Sequence, residues 1–424
     1  MISSYTQRMQ RTNGEARVVA SRSLDARTAP CRASPQLLGA CALVSAVILA
    51  LPGPISAQNF PPITSRDWAV DLYEGTALGS NRVIAMGGVS VAIAEGSAGS
   101  LANPAAMAVR PTTDNDWFAW DFHLDAASGS LSTDYDNNGY LDGANGNKAA
   151  TAGLAFGFGP WGVALTATTW TTPMNGLSAT QLDASITRGE LAVSRLFATL
   201  DLATGLALRV GRFDVESPTA TLFGMSTTSA VAGATWMPRR QSLRVAGSAT
   251  IGQTNNEVTV GRCDPLNCEG YILPDRIAVP WRLAVGGAYR LGPTAWNQKI
   301  PSTFRDERSV VASAELTITG PTADGFGIEA FGRGGLQPSG RNVAISPRLG
   351  LEYEAMPGRL RLRAGSYWEP GRFNDSEGRI HATGGLEVAL FGFEVWGPRR
   401  IRLTLTTDVA RNYRNGGVSV GFWH

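Results

Sequence analysis

The most chemically loaded stretch of the sequence is Asp134-Tyr135-Asp136-Asn137-Asn138-Gly139-Tyr140-Leu141-Asp142. Counted from Asp134, side-chain oxygens fall at positions one, three, five and nine (Asp134, Asp136, Asn138, Asp142), with glycine at position six. This is how an EF-hand-like calcium loop begins: hard oxygen donors surround the ion and a glycine permits the sharp turn. The twelfth position is Asn145 rather than a bidentate Glu, and no helix is evident on either side. A calcium ion held here would be bound weakly, as suits an extracellular site. The same residues also read as a polar turn between two strands.

Cys263 and Cys268 are the second candidate pair. In an exported chain, two cysteines this close read as a disulfide closing a small external loop. A metal would need further ligands, and His123, His381 and His424 are all distant in sequence. Enzyme chemistry needs a nucleophile beside a base. No Ser or Cys motif surrounds His123 or His381, so no enzyme is expected.

The elements that carry these residues follow from the rest of the chain. Residues 1–57 hold six arginines (Arg8, Arg11, Arg17, Arg22, Arg27, Arg32), then the apolar run 37–51, then Pro52-Gly53-Pro54 and a small residue at Ala57. That is the order of a secretory signal peptide cut near Ala57, and the run is too short for a spanning helix. Cys31 and Cys41 leave with it. The remainder carries 31 basic and 33 acidic residues, which gives no footprint for nucleic acid. Charged residues make up 17% of the chain and glycine 49 positions of 424, a balance suited to many short strands with tight turns.

Beyond residue 115 the apolar residues recur with period two. Leu206, Leu208 and Val210 alternate with Ala207, Arg209 and Gly211; Leu349, Leu351 and Tyr353 alternate with Arg348, Gly350 and Glu352. The same holds for Trp281, Leu283 and Val285, and for Ile401, Leu403 and Leu405. A soluble sandwich would alternate likewise, but here the repeat runs for about 300 residues. Aromatics also gather near strand ends: Trp117, Trp120, Trp161, Trp170, Trp236, Trp296, Tyr367, Trp368, Trp396 and Trp423. Both features point to an all-β, transmembrane antiparallel barrel with aromatic girdles, closed because lipid satisfies no backbone group.

Fourteen strands are predicted, near 117–132, 149–158, 161–171, 184–197, 201–215, 223–236, 243–260, 276–290, 309–320, 343–355, 360–368, 379–391, 400–411 and 413–422. An even count returns both ends to the periplasm and puts the calcium-like run in the first external loop. A further hairpin within 325–336 would spoil this parity. Around Pro357-Gly358 the predicted register sets Met356 against Arg359, Glu354 against Arg361, Glu352 against Arg363 and Tyr353 against Leu362, pairing charges on one face and apolar groups on the other. These charges read first as ion pairs filling the interior and second as solute selectors. Gly153, Gly157 and Gly159 mark a place where a strand could kink open, or simply bulge. Gly417 to Phe422 is an alternating strand ending in an aromatic, the form of a terminal assembly strand, although Trp423 and His424 run past it.

Residues 58–114 do not alternate. They contain Met86-Gly87-Gly88 and then Asn103-Pro104-Ala105 before the first strand. Here the sequence resembles the FadL-type outer-membrane transporters of hydrophobic compounds, whose mature chains open with a Gly/Ala-rich segment and an Asn-Pro-Ala motif ahead of fourteen strands. The 350–365 hairpin is also similar. The resemblance implies a hatch of residues 58–114 in the lumen, a barrel of 115–424, and passive uptake of small hydrophobic molecules such as long-chain fatty acids, with no required cofactor. It implies a monomer in contact with outer-membrane lipid and lipopolysaccharide. Related barrels with the same opening serve secretion systems, so a non-transport barrel that anchors a partner complex is the alternative.

Overall fold

In a strand whose side chains alternate between lipid and lumen, the apolar face must turn outward and the charged face inward. The computed structural model describes residues 60–423, apart from 78, 111–116, 130–132, 141–145, 178–179, 256–257, 302–303 and 375. The signal segment, Asp142, Asn145 and His424 therefore lie outside the described residues.

The alternating segments form a closed wall of fourteen antiparallel strands: β1 (Phe118–Gly129), β2 (Lys148–Phe158), β3 (Trp161–Asn175), β4 (Gln181–Phe197), β5 (Leu202–Glu216), β6 (Thr221–Trp236), β7 (Leu243–Thr250), β8 (Arg282–Leu291), β9 (Val310–Thr319), β10 (Ala344–Met356), β11 (Leu360–Glu369), β12 (Arg379–Glu394), β13 (Pro398–Ala410) and β14 (Tyr413–Phe422). Each pairs with the next, and β1 pairs with β14 to close the wall. The faces are inverted relative to a soluble protein. Leu206 and Leu208 are 69% and 54% exposed, whereas Asp121, Glu190, Glu315, Glu352, Glu387 and Arg402 are buried. Among the described residues no helix is long and apolar enough to cross a membrane.

The late hairpin keeps the expected register: Glu354 faces Arg361, Glu352 faces Arg363 and Tyr353 faces Leu362. A bulge shifts the last pair, so Met356 stands opposite Leu360, while the Arg359 N–H still donates to the Met356 carbonyl at 2.9 Å.

Two expected strands are cut short. The segment 243–260 leaves the wall after Thr250 and pairs with it again only at Thr259–Val260, against β6, and 276–290 is broken at Pro280-Trp281, where proline supplies no ladder donor. The released pieces build a second, five-stranded sheet at the long-loop end. In it, Ala69–Asp71 lies parallel to Arg276–Val279 and to Gly325–Phe326, with Gln253–Asn255 and Pro338–Ser339 at the edges. The hairpin suspected in 325–336 belongs to this sheet and flanks a short helix, Ile328–Gly332, so the even count of the wall stands. Trp68, Val70, Phe223, Leu273, Ile277 and Phe331 form the apolar core beneath it.

Not all the aromatics form girdles. Trp117, Trp161, Trp236 and Trp396 are exposed, but Trp296, Tyr367 and Trp423 are buried. Arg244 lies 3.9 Å over Trp296 and Arg361 lies 3.9 Å over Trp423. These rings sit under inward guanidinium groups, which recover part of their hydration loss from the ring face. The suggested kink at Gly153, Gly157 and Gly159 is also absent, since β2 pairs in unbroken register with β1 and β3.

Candidate functional site

A strand carboxylate that points inward needs a donor. In this chain residues 60–110 supply many of them, with their own main-chain N–H groups. Helix α1 (Asn81–Ala85) begins where the Asn81 N–H donates to Asp125 on β1 at 2.8 Å. Ser90 and Val91 N–H both donate to Glu315 on β9, at 2.7 and 2.9 Å. Gly87 N–H donates to Thr383 on β12. Arg82 reaches Glu352 on β10, which Arg363 also meets at 2.6 Å. Charge-assisted bonds of this kind are about twice as strong as neutral ones, and here they run from one side of the wall to the other.

Asn103, Pro104 and Ala105 make the corresponding contact with β5 and β6. The Asn103 amide donates to the carbonyls of Val91 and Ala234 and to the Thr235 hydroxyl, while its Oδ1 accepts the Ala105 N–H at 3.0 Å. A Cβ on Gly205 would strike the Pro104 carbonyl, and one on Gly233 would strike the Asn103 amide. The motif therefore locks a turn onto two strand positions that only glycine can occupy.

Between this segment and the wall lie three adjoining cavities of about 100 Å³ each. The first, at the long-loop end, is mainly apolar and is lined by Leu72, Trp170, Ile186, Phe213, Ile328 and Phe373. Glu74 belongs to all three linings. The other two share Arg188, Arg209 and Arg282. Arg188 pairs with Glu74, and Arg209 pairs with Glu190 at 2.7 Å. Arg282 has no hydrogen-bond or ion-pair partner among the described residues. Burial opposes ionisation of Glu74, yet Arg188 and Arg282 outweigh it and hold its carboxyl below the ordinary range. The apolar cavity thus shares Glu74 with two spaces lined by Arg282.

The predicted calcium-like loop borders the apolar cavity through Tyr135 and Asp136. Asp134 accepts the main-chain N–H of Asn138 and of Gly139, and Asn138 Oδ1 accepts that of Tyr140. Burial raises Asp134 to about 6, against the pull of Arg379. Asp136 lies well above the usual range through burial first and the Asp134 charge second. Glu329, on the loop between β9 and β10, is raised likewise by burial and then by Asp136. Spacing along the sequence could not have placed Glu329 here. Among the described residues no three His, Cys, Asp or Glu side chains stand at metal-ligand spacing.

The cysteines are bonded, with an S–S distance of 1.95 Å, and Cys268 joins the core beneath the small sheet. The fold also makes one contact with no precedent in sequence order: Ser97 Oγ lies 2.9 Å from His123 Nδ1 and donates to Asp121 at 2.8 Å. Both Ser97 and His123 are fully buried, so the trio ties helix α2 (Gly96–Ser100) to β1.

No family model matches this chain. No curated protein matches it either. Its fold is that of solved FadL-type channels. A Pseudomonas aeruginosa FadL homologue superposes with a TM-score of 0.50 at 11% identity, over 86% of this chain and 99% of that one. The Ralstonia pickettii toluene transporter TbuX gives 0.50 at 12% identity, over 82% and 98%. The CymD monoaromatic hydrocarbon channel gives 0.50 at 12% identity, over 82% and 97%.

Proposed function

We propose that this chain is an outer-membrane channel for the passive uptake of small hydrophobic molecules, with long-chain fatty acids as its preferred class. In this reading residues 1–57 are a signal peptide removed near Ala57. Residues 58–114 are a hatch that fills the lumen, and the barrel works as a monomer among outer-membrane lipid and lipopolysaccharide. The outward aliphatic face suits lipid, and the N-terminal segment bonded to opposite strands suits a plug.

One observation carries the choice of cargo: the apolar cavity adjoins a space lined by the unpartnered Arg282. A hydrocarbon tail would bury its surface against Trp170, Ile186 and Phe213, worth about 25 cal/mol per Å². Its carboxylate would meet Arg282 in a charge-assisted bond. The solved structures that share the fold are a FadL homologue, a toluene transporter and a monoaromatic hydrocarbon channel, which supports a hydrophobic cargo without choosing among them.

Proteoliposomes holding the purified barrel test this directly. Entry of oleate and toluene well above protein-free vesicles is expected, with little entry of sugars. Sugar flux without either hydrophobic solute would refute the proposal.

A further inference from the structure

The folded chain brings to the Asp134–Asn138 loop two side chains about two hundred residues further along. Gln337 donates its Nε2 hydrogen to the Asn138 carbonyl at 3.3 Å, and its main-chain carbonyl accepts the Gly327 N–H at 3.0 Å. A Cβ on Gly327 would stand 3.4 Å from Asp136 Oδ2, so that carboxylate rests against the turn leading into Glu329. Asp136 and Glu329 line the same cavity.

Three oxygens here have no hydrogen-bond partner among the described residues. Asp136 Oδ1 accepts the Asn138 N–H, but its Oδ2 is buried and unbonded. Glu329 is 3% exposed and leaves Oε2 unbonded; Gln337 is 4% exposed and leaves Oε1 unbonded. Buried polar atoms are almost always satisfied, and two carboxylates lining one cavity out of water need a counter-charge. The nearby guanidinium does not supply it. Arg379 is held at 2.6 Å by Glu369 and at 2.6 Å by the Asp134 carbonyl.

We propose that Asp136 Oδ2, Glu329 Oε2 and Gln337 Oε1 are the protein ligands of a divalent cation of the calcium type, which ties the β1–β2 loop to the β9–β10 segment. The donors are all oxygen, which selects a hard cation over zinc or copper. Asp134 acts as the organiser of the turn, its oxygens occupied by main-chain N–H groups. Two carboxylates and an amide leave places for water, so affinity falls in the range of about 10⁻⁴–10⁻³ M that suits an extracellular site. The cation would close the loop end of the apolar cavity, whatever cargo passes through it.

The test uses the full mature barrel in detergent, stripped with EDTA and titrated with calcium chloride by calorimetry. One site is expected, with a rise in unfolding temperature on calcium addition. Glu329→Gln and Asp136→Asn should each weaken binding about tenfold or more, while the heat-modifiable folded band on gels stays intact. Asp142→Asn should leave affinity within about twofold. If the unaltered barrel takes up no calcium at ~10 mM, or if both Glu329→Gln and Asp136→Asn bind as it does, the proposal fails. A strong loss in Asp142→Asn alone would also overturn it in favour of a site within one loop. A stripped barrel that Glu329→Gln stabilises and calcium leaves unmoved would mean that the two carboxyls share a proton instead.

Discussion

Asn103 lies directly over Gly233: its amide bonds to the Ala234 carbonyl and the Thr235 hydroxyl, and no side chain fits on the strand beneath it. The N-terminal segment is therefore fastened to β6 through polar bonds and close backbone approach.

Asn103→Ala would leave the Ala234 and Val91 carbonyls short of a donor. A loss of about 1–3 kcal/mol is expected for buried groups left unsatisfied. It should appear as a lower unfolding temperature together with larger single-channel conductance as the segment loosens. Gly233→Val should do the same by collision. Unchanged conductance in both would separate this contact from closure of the lumen.

Arg282→Gln removes the free guanidinium and leaves the apolar cavity intact. Oleate uptake should fall about tenfold, the worth of one charge-assisted bond, whereas toluene uptake should stay within about twofold. Equal loss of both would place Arg282 in the structure of the wall rather than at the head of the ligand.

Phe422, the penultimate described residue, meets Trp120 and Phe122 edge-on, with both ring centroids at 4.7 Å. Phe422→Ala should cost about 3–5 kcal/mol of packing and reduce the folded fraction after refolding into micelles, read as the heat-modifiable band. Full recovery of that band would contradict a role in closing the wall.

The Asp134 carboxyl is raised to about 6, mainly by burial. The unfolded chain would release that proton near pH 4. Between these values the folded state binds more protons, so stability falls as pH rises. In EDTA the barrel should unfold at a higher temperature at pH 5 than at pH 7. Asp134→Asn should flatten that dependence, although Asp136 and Glu329 shift the same way and would keep part of it.

The wall was legible because a barrel strand writes its environment into alternate residues. Leu206, Leu208 and Val210 could only face lipid if Ala207, Arg209 and Gly211 faced the lumen, and fourteen such segments fix the count and the hairpin order. The Glu352–Arg363 register followed from the turn at Pro357-Gly358 for the same local reason. The breaks after Thr250 and at Pro280 were harder, since the residues beyond them alternate equally well in a second sheet.

Sequence by itself determined the period-two wall, the inward charges and the Cys263–Cys268 pair, all set by neighbours a few positions apart. Tertiary structure alone decided which distant groups meet: that Asn81 bonds to Asp125, that Ser97 meets His123, that Arg282 has no hydrogen-bond or ion-pair partner among the described residues, and that Glu329 and Asp136 line one cavity. Those contacts join segments that share no local pattern. They are chosen by which buried donor or charge can satisfy which acceptor once the barrel has closed, and only the closed barrel sets those distances.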